Sequence, residues 1–204
     1  ALNSSLVAVQ ASSPWFFFSH LVGISLVVFS LVQYFVFRLK LEQEKSERLL
    51  LNVLPHEIAQ RLKGSHAVIA DAFAEASILF ADLAGFTKMA GSMAPVQILE
   101  MLNLTFSRFD LLTEKYRLEK IKTIGDCYMV VGGIPVFRED HAQAIADMAL
   151  EMRSAIKTLN EEKGYNLSLR IGINSGPVVA GVIGMKKFIY DLWGDAVNVA
   201  SRME

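Results

Sequence analysis

The 204-residue sequence has only one cysteine, little net charge and neither of the usual phosphate-binding loops. Each of these absences excludes a class of structure or function. Cys127 alone excludes a disulfide within the chain, and four scattered histidines predict no histidine metal centre. The formal net charge of −1 argues against nucleic acid as a partner, because binding a phosphate backbone needs a clustered basic field. No Gly-x-x-x-x-Gly-Lys-Ser/Thr segment is present, and no Gly-x-Gly-x-x-Gly follows a strand. Any bound phosphate must therefore be held by metal and arginine.

Charged residues are also missing from residues 15–37. As a helix, that run would be about 35 Å long, enough for a hydrocarbon layer of about 30 Å. It predicts one transmembrane helix in a lipid bilayer, after an extracytoplasmic stub at 1–14. A cleaved secretory signal would need a basic start, and residues 1–14 contain no basic residue. By the positive-inside rule, the rest of the chain is expected in the cytoplasm, below the plasma or inner membrane, because the run is followed by Arg38, Lys40, Lys45 and Arg48.

Residues 38–64 predict a helical linker. An apolar residue recurs there every four positions, at Leu50, Leu54, Ile58 and Leu62. Parallel pairing with a second copy would bury this face as in a coiled coil, although the heptad is imperfect and a solvated surface helix is the alternative. Pro55 is expected to end one helix and begin the next, and Gly64 to end the second.

Residues 65–204 alternate strand and helix patterns, which indicates an α+β domain. Helices are predicted at 95–116 and after Asp140, and a last helix is expected to be capped by Asp195. Strands are predicted at 77–83, 119–124, 127–131, 167–173 and 178–183, the last two separated by a turn at 174–177. The order βαββαβ suggests a ferredoxin-like core.

Two aspartates lie where strands end in this pattern. Asp82 follows an apolar strand, and Asp126 lies with Gly125 in a tight hairpin turn. A buried charge needs a partner, and two carboxylates suit Mg²⁺. The alternative is that Asp82 caps a turn and Asp126 only fills the hairpin, which would be the better interpretation for either residue alone.

Asn198 and Arg202 are one helical turn apart in the last helix. Arginine is permanently charged and offers several donors, so it suits a phosphate or a developing oxyanion, with Asn198 as a neutral donor beside it. An ordinary surface arginine on an exposed helix is the alternative.

From about residue 41 onward the chain resembles the class III nucleotidyl cyclases. The resemblance rests on FADLAGFT, EKIKTIGDCYMV, LRIGINSGPVVAGVIG and YDLWGDAVNVASRM, in family order and spacing. It implies a head-to-tail homodimer with two equivalent active sites, each built from both chains. The family domain continues through a lysine for the triphosphate that this chain does not contain, so residues 65–204 are expected to be a C-terminally truncated catalytic domain.

The resemblance also implies a role for each site residue. In one protomer, Asp82 and Asp126 would bind two Mg²⁺ ions, for which Mn²⁺ can substitute. The partner would supply Lys122 and Asp191 for the purine, with Asn198 and Arg202 for the transition state. The backbone that approaches the triphosphate would be that of Gly85, Phe86 and Thr87.

The base follows from hydrogen-bonding chemistry as well. Adenine offers N1 as an acceptor and N6 as a donor, which a Lys donor and an Asp acceptor complement, whereas guanine requires the reverse pattern. Lys122 and Asp191 therefore indicate ATP, while guanylyl members have Glu and Cys there. The implied reaction is adenylyl cyclase chemistry, in which the ribose 3′-oxygen attacks the α-phosphorus to give 3′,5′-cyclic AMP and pyrophosphate.

Three alternatives stay open. One is a membrane-tethered nucleotide-binding or dimerisation module without catalysis, and another is a guanylyl cyclase. The third is a relative of the diguanylate cyclases, whose Gly-Gly-Asp/Glu-Glu-Phe turn is missing from the sequence.

Overall fold

The computed structural model describes residues 14–51, 53–64, 69–184 and 188–204. They form two compact units, 1–52 and 53–204. Apart from Pro14, the expected stub at 1–14 lies outside the described residues.

The first unit is one helix, α1 (Pro14–Leu51), of 38 residues. It has a mean hydropathy of 2.1 over its most apolar window, none of which is buried in the protein. Among the described residues it is the one helix long and apolar enough to cross a membrane. The predicted span at 15–37 and the start of the predicted linker are thus parts of one continuous helix.

The second unit contains a five-stranded sheet and five helices in its described part. The sheet order is β2-β3-β1-β4-β5, and every neighbouring pair is antiparallel. The elements are α2 (His56–Gly64), β1 (Ala70–Leu83), α3 (Phe86–Ala90), α4 (Pro95–Tyr116), β2 (Glu119–Ile124), β3 (Cys127–Gly132), α5 (His141–Lys163), β4 (Leu169–Ile183), β5 (Ile189–Trp193) and α6 (Asp195–Met203). The first four strands confirm the ferredoxin-like order, and β5 extends the sheet beside β4.

Pro55 begins α2, as predicted. Its carbonyl accepts a hydrogen bond from the N–H of Ala59 at 2.9 Å. However, α1 ends at Leu51, so the four-residue apolar spacing does not continue along one helical face. Leu54 and Ile58 are buried within the second unit. The prediction that this face pairs with a second copy is wrong for these two residues, because their own domain covers them.

The two strands predicted at 167–173 and 178–183 are one continuous strand, β4. Gly176 and Val178 pair with Ala76 and Phe73 of β1, and the register shifts between those two β1 residues. Pro177 therefore lies opposite a bulge, where its missing N–H breaks no regular ladder bond. This explains why a turn-like Asn-Ser-Gly-Pro sequence continues the strand.

Helices cover both faces of the sheet. Leu79 and Ala81 of β1 belong to the core under α4 and α5. Because side chains alternate along a strand, Phe80 and its neighbour Gly172 on β4 face the opposite side, where α6 packs. A Cβ at Gly172 would lie 2.2 Å from the carbonyl oxygen of Ala200. Only glycine allows α6 to lie this close to the sheet.

Asp195 does not cap α6 as predicted. It is the first helical residue, and Gly194 is the N-cap, without a side-chain capping bond. A Cβ at Gly194 would lie 2.9 Å from the carbonyl oxygen of Pro177, so the close approach to β4 requires glycine at the cap. Asp195 can still favour the helix through its negative charge in the first turn.

Gly172→Ala is expected to destabilise the second unit by about 2 kcal/mol or more, because the new methyl group would overlap the backbone of α6. Gly64→Ala is the matched control, since no atom of the described residues lies within 4 Å of a Cβ there. Thermal unfolding followed by circular dichroism measures both. Equal midpoints for the two variants would contradict the packing described for α6.

Candidate active site

A carboxylate pair lies at the end of β1. Asp82 is the penultimate residue of that strand and is almost buried. Asp126 lies in the two-residue turn between β2 and β3, where Gly125 has a φ of 64°. Burial first, and then the neighbouring Asp82 carboxylate, raises the pKa of Asp126 above its ordinary value. The two predicted metal ligands are therefore brought together.

Arg170 is the cationic partner of Asp82. The two residues are opposite each other in the β1–β4 register, and the Arg170 guanidinium donates a hydrogen bond to Asp82 Oδ2. This residue was not predicted from the sequence, because the next basic residue along the chain after Asp82 is Lys88. The feature of the sequence that could have predicted this role is that Arg170 is the single arginine in the otherwise apolar strand Leu169–Ile183.

Glu204 adds a third acidic group. Its Oε2 lies 3.5 Å from Cys127 Sγ, and one ligand atom from each of Asp82, Cys127 and Glu204 lies within 4.8 Å of the others. Burial, and then the charge of Glu204, raises the pKa of the Cys127 thiol to about 12. Sulfur is also a softer donor than Mg²⁺ prefers. Carboxylate oxygens are the effective donors here.

These groups fit a hard divalent cation. Asp82 and Asp126 lie close enough for one to raise the pKa of the other. Arg170 is the one basic side chain hydrogen-bonded to this pair among the described residues, so the negative charge of the two carboxylates exceeds the positive charge beside them. Oxygen donors of this kind suit Mg²⁺, which is commonly bound through one or two carboxylates with substrate phosphates completing its coordination.

Lys122 and Asp191 form a second polar cluster. They lie on β2 and β5, the two opposite edges of the sheet, yet Lys122 Nζ donates to Asp191 Oδ2. The other oxygen, Oδ1, accepts the backbone N–H of Leu192 at 2.9 Å. The sheet must therefore curl until its edges meet. This brings a cationic donor and an anionic acceptor side by side in a half-buried position.

Asn198 and Arg202 lie on the exposed face of α6. Ala196 and Ala200 are buried on the same helix. Arg202 Nε donates to the carbonyl oxygen of Asn198 at 3.2 Å, which is consistent with the predicted spacing of one turn. In the described part of the chain, neither side chain is hydrogen-bonded to the carboxylate pair.

Gly85, Phe86 and Thr87 lie just after β1, where Gly85 is in the loop and Phe86 and Thr87 are the first residues of α3. Gly85 has a φ of 76° and precedes the short helix α3, which was not predicted from the sequence. The preceding Ala84 N–H donates to the carbonyl oxygen of Ser168 at 2.9 Å, which fixes the loop beside the start of β4. The loop therefore lies next in sequence to Asp82, as a phosphate-binding segment would require.

Comparison with known sequences identifies the domain. Residues 68–204 match the model of the adenylate and guanylate cyclase catalytic domain. The chain is 52% identical over 164 residues to adenylate cyclases of Mycobacterium bovis and Mycobacterium tuberculosis. It is 47% identical over 167 residues to the guanylate cyclase soluble subunit beta-2 of Rattus norvegicus. These matches cover 80–81% of this chain, which spans 37% of the mycobacterial proteins and 24% of the rat protein.

Solved structures give the same fold. The catalytic core of a rhodopsin-guanylyl cyclase with converted specificity, in complex with ATPalphaS, has a TM-score of 0.63 at 37% identity and covers 66% of this chain and 73% of its own. The adenylyl cyclase CyaB of P. aeruginosa has a TM-score of 0.62 at 28% identity, with 65% and 71% covered. The α+β fold is therefore that of cyclase catalytic domains.

Proposed function

The chain belongs to the adenylate and guanylate cyclase catalytic domain family, and from this premise we propose that it is the catalytic part of a membrane-anchored adenylyl cyclase. The proposed reaction converts ATP into 3′,5′-cyclic AMP and pyrophosphate. Relatives named as adenylate and as guanylate cyclases are both similar to the chain, so the choice of base rests on its own residues.

The Lys122–Asp191 ion pair carries the proposal. Lys122 offers a donor for adenine N1, and Asp191 offers an acceptor for the N6 amino group. Guanine would place its O6 acceptor and its N1–H donor against the wrong partners. In this half-buried site, guanine and the two side chains would each be left with polar groups that have no hydrogen-bond partner. This loss strongly disfavours binding of the wrong base.

Asp82 and Asp126 are the proposed ligands of two Mg²⁺ ions, or of Mn²⁺ in their place. When bound, these ions would lower the pKa of the ribose 3′-hydroxyl and neutralise the triphosphate leaving group. Arg170 now pairs with Asp82 and is half exposed. With a cation at Asp82, the Arg170 guanidinium would be available to contact phosphate oxygens beside it.

Asn198 and Arg202 are the proposed catalytic residues. Asn198 would orient the ribose, and Arg202 would stabilise the negative charge that develops at the α-phosphorus. The Gly85–Thr87 backbone would approach the triphosphate. No covalent intermediate with the protein is needed, so the residues act mainly by positioning ATP for in-line attack.

The active unit is proposed to be a homodimer. One chain carries both residue sets, yet Asn198 and Arg202 are exposed and make no hydrogen bond to the described carboxylate pair. In a site shared between two copies, Asn198 and Arg202 of one copy would lie beside the Asp82–Asp126 pair of the other. Large apolar side chains are exposed on β4 and β5, as a protein interface requires, at Val179, Ile183, Ile189 and Trp193.

The first helix is proposed to anchor this domain in a lipid bilayer. Large apolar side chains are exposed along α1 from Trp15 to Leu39, and water would disfavour such a surface. Basic residues after residue 37 favour a cytoplasmic position for the second unit.

The direct test supplies ATP or GTP, with Mg²⁺ or Mn²⁺, to the protein reconstituted in lipid vesicles. Cyclic AMP from ATP, with little product from GTP, is the expected outcome. An excess of cyclic GMP from GTP would instead assign a guanylyl cyclase. Nucleotide binding without any cyclic product would leave a binding or dimerisation module.

A further inference from the structure

A side-chain network joins helix α4 to the hairpin of β2 and β3. The Asp110 carboxylate of α4 accepts two hydrogen bonds at Oδ1, one from Lys120 Nζ of β2 at 2.6 Å and one from the Tyr128 hydroxyl of β3 at 2.7 Å. Thr113 lies one helical turn after Asp110, and its hydroxyl oxygen is 2.9 Å from that of Tyr128. Three elements therefore meet at one carboxylate.

Burial makes this network more than a surface ion pair. Asp110 and Lys120 are partly exposed, but Tyr128 is fully buried in the core under α4 and α5, so its hydroxyl needs a partner inside the protein. The ammonium of Lys120 lies 5.0 Å from the centre of the Tyr128 ring, which adds a cation–π contact. An exposed ion pair alone contributes little to stability, whereas an acceptor shared by a cation and a buried hydroxyl fixes both groups.

The strand β2 is irregular next to Lys120. Lys120 pairs with Val130 of β3, which belongs to the core under α4 and α5. The next paired residue is Lys122, opposite Met129, so Ile121 is an extra residue in the ladder. Residues directly opposite each other share a face of the sheet, and neighbours along a strand alternate between faces. Lys120 therefore lies on the face that α4 covers, and Lys122 lies on the other face.

This irregularity places Lys122 at the proposed purine site. Its ammonium donates to the Asp191 carboxylate of β5. The ladder of β2 is formed with β3 alone, and it is interrupted at Ile121. Lys120, directly before the interruption, is the residue that a side-chain bond ties to α4. This tie fixes β2 beside the residue that would bind adenine N1.

We propose that Asp110 is a positioning residue for purine selection: by holding Lys120 and Tyr128, it fixes the irregular part of β2 and thereby the position of the Lys122 ammonium opposite adenine N1. The inference rests on the proposed adenine recognition and adds a determinant on the face of the sheet away from Lys122. The hydrogen bonds of Asp110 in the described structure go to Lys120 and Tyr128, not to the purine pair. Asp110 acts through β2.

The test uses variants of the whole chain in lipid vesicles. Asp110→Ala removes the shared acceptor, and Asp110→Asn keeps an acceptor oxygen but removes the charge. Lys120→Met releases β2 from α4 and leaves the bond between Tyr128 and Asp110 in place, so the comparison can be made even if Asp110→Ala does not fold. Glu114→Ala is the matched control, because Glu114 is an exposed carboxylate of the same helix and lies outside the network.

The nucleotides are ATP, GTP and 1-deaza-ATP, which has a carbon in place of N1 and cannot accept from Lys122. Asp110→Ala and Lys120→Met should raise KM for ATP about tenfold, as the weakening of one hydrogen bond would, with kcat near the wild-type value. KM for 1-deaza-ATP should stay at the wild-type value, and the preference for ATP over GTP should fall. Asp110→Asn should recover part of the ATP affinity, and Glu114→Ala should reproduce wild type.

An equal rise in KM for ATP and for 1-deaza-ATP would overturn the proposal, because it would show a general loosening of the fold instead of a lost N1 contact. A loss confined to kcat, or no change in either constant, would overturn it as well. Equilibrium binding of both nucleotides without turnover separates this inference from the proposed reaction. If wild type binds ATP but forms no cyclic AMP, the proposed reaction fails, and the two dissociation constants of each variant still decide the role of Asp110. A wild type that prefers GTP would overturn both.

Discussion

Asp82→Asn is expected to lower cyclic AMP formation by roughly a thousandfold, because the cation proposed to bind there would supply several kcal/mol of charge stabilisation to the transition state. Asparagine keeps the shape of aspartate but removes the negative charge. The side chain of Asp82 is almost buried between Arg170 and Cys127, so the amide would also leave Arg170 without its anionic partner. The measurement is cyclic AMP formed from ATP by the vesicle-reconstituted protein over a range of Mg²⁺ and Mn²⁺ concentrations.

Asp147→Asn is the matched control for this variant. Asp147 lies on α5, which packs on the opposite side of the sheet from α6, and it belongs to neither polar cluster of the site. Its activity should equal that of wild type. If Asp82→Asn kept more than a tenth of the activity, or if excess Mn²⁺ fully restored it, Asp82 would not be an essential metal ligand. Equal thermal midpoints for the two variants would exclude unfolding as the cause of any loss.

The parts of the fold with strong local signals could be predicted from sequence. The helix predicted at 95–116 has the same bounds as α4, because a proline in its first turn and a regular apolar face mark it clearly. The hairpin of β2 and β3 follows from Gly125 and Asp126 between two apolar strands. The same signals predicted that Asp82 and Asp126 lie close together, because Asp82 is near the end of β1 and pairs with Cys127, the residue that follows Asp126.

Features set by distant pairing could not be predicted in this way. Pro177 reads as a turn residue, and only the bulge in β1 explains why it continues β4. The strand β5 has five residues, one of them Asp191, so its pattern is weak without its partner β4. A proline or a short strand can be interpreted correctly only when its ladder is known.

The same limit applies to the site. Arg170 faces Asp82 across 88 positions of sequence because β1 and β4 are neighbours in one register. Lys122 and Asp191 meet because the sheet curls, and the sequence contains no local sign of that curvature. Individual charged residues were therefore recognisable, whereas their partners depended on the sheet.

Lys122→Glu combined with Asp191→Cys is expected to lower kcat/KM for ATP by roughly a hundredfold or more and to raise it for GTP. The double variant removes both proposed polar partners of adenine, each worth about 1–3 kcal/mol when left unsatisfied in a buried position. Glutamate would then accept from guanine N1–H, and the cysteine thiol could donate weakly to O6. The measurement is kcat/KM with each nucleotide, for both single variants and the double variant.

The single variants separate base recognition from the ion pair itself. Lys122→Glu alone would place two carboxylates against each other where β2 and β5 meet. We therefore expect lower kcat/KM for both ATP and GTP and a lower thermal midpoint. Asp191→Cys alone leaves Lys122 without its anion but creates no repulsion. Adding Asp191→Cys to Lys122→Glu should therefore recover stability as well as GTP turnover. If Lys122→Glu alone kept the stability and the ATP preference of wild type, both proposals for the Lys122–Asp191 ion pair would be wrong. The pair would neither link β2 to β5 nor select adenine over guanine.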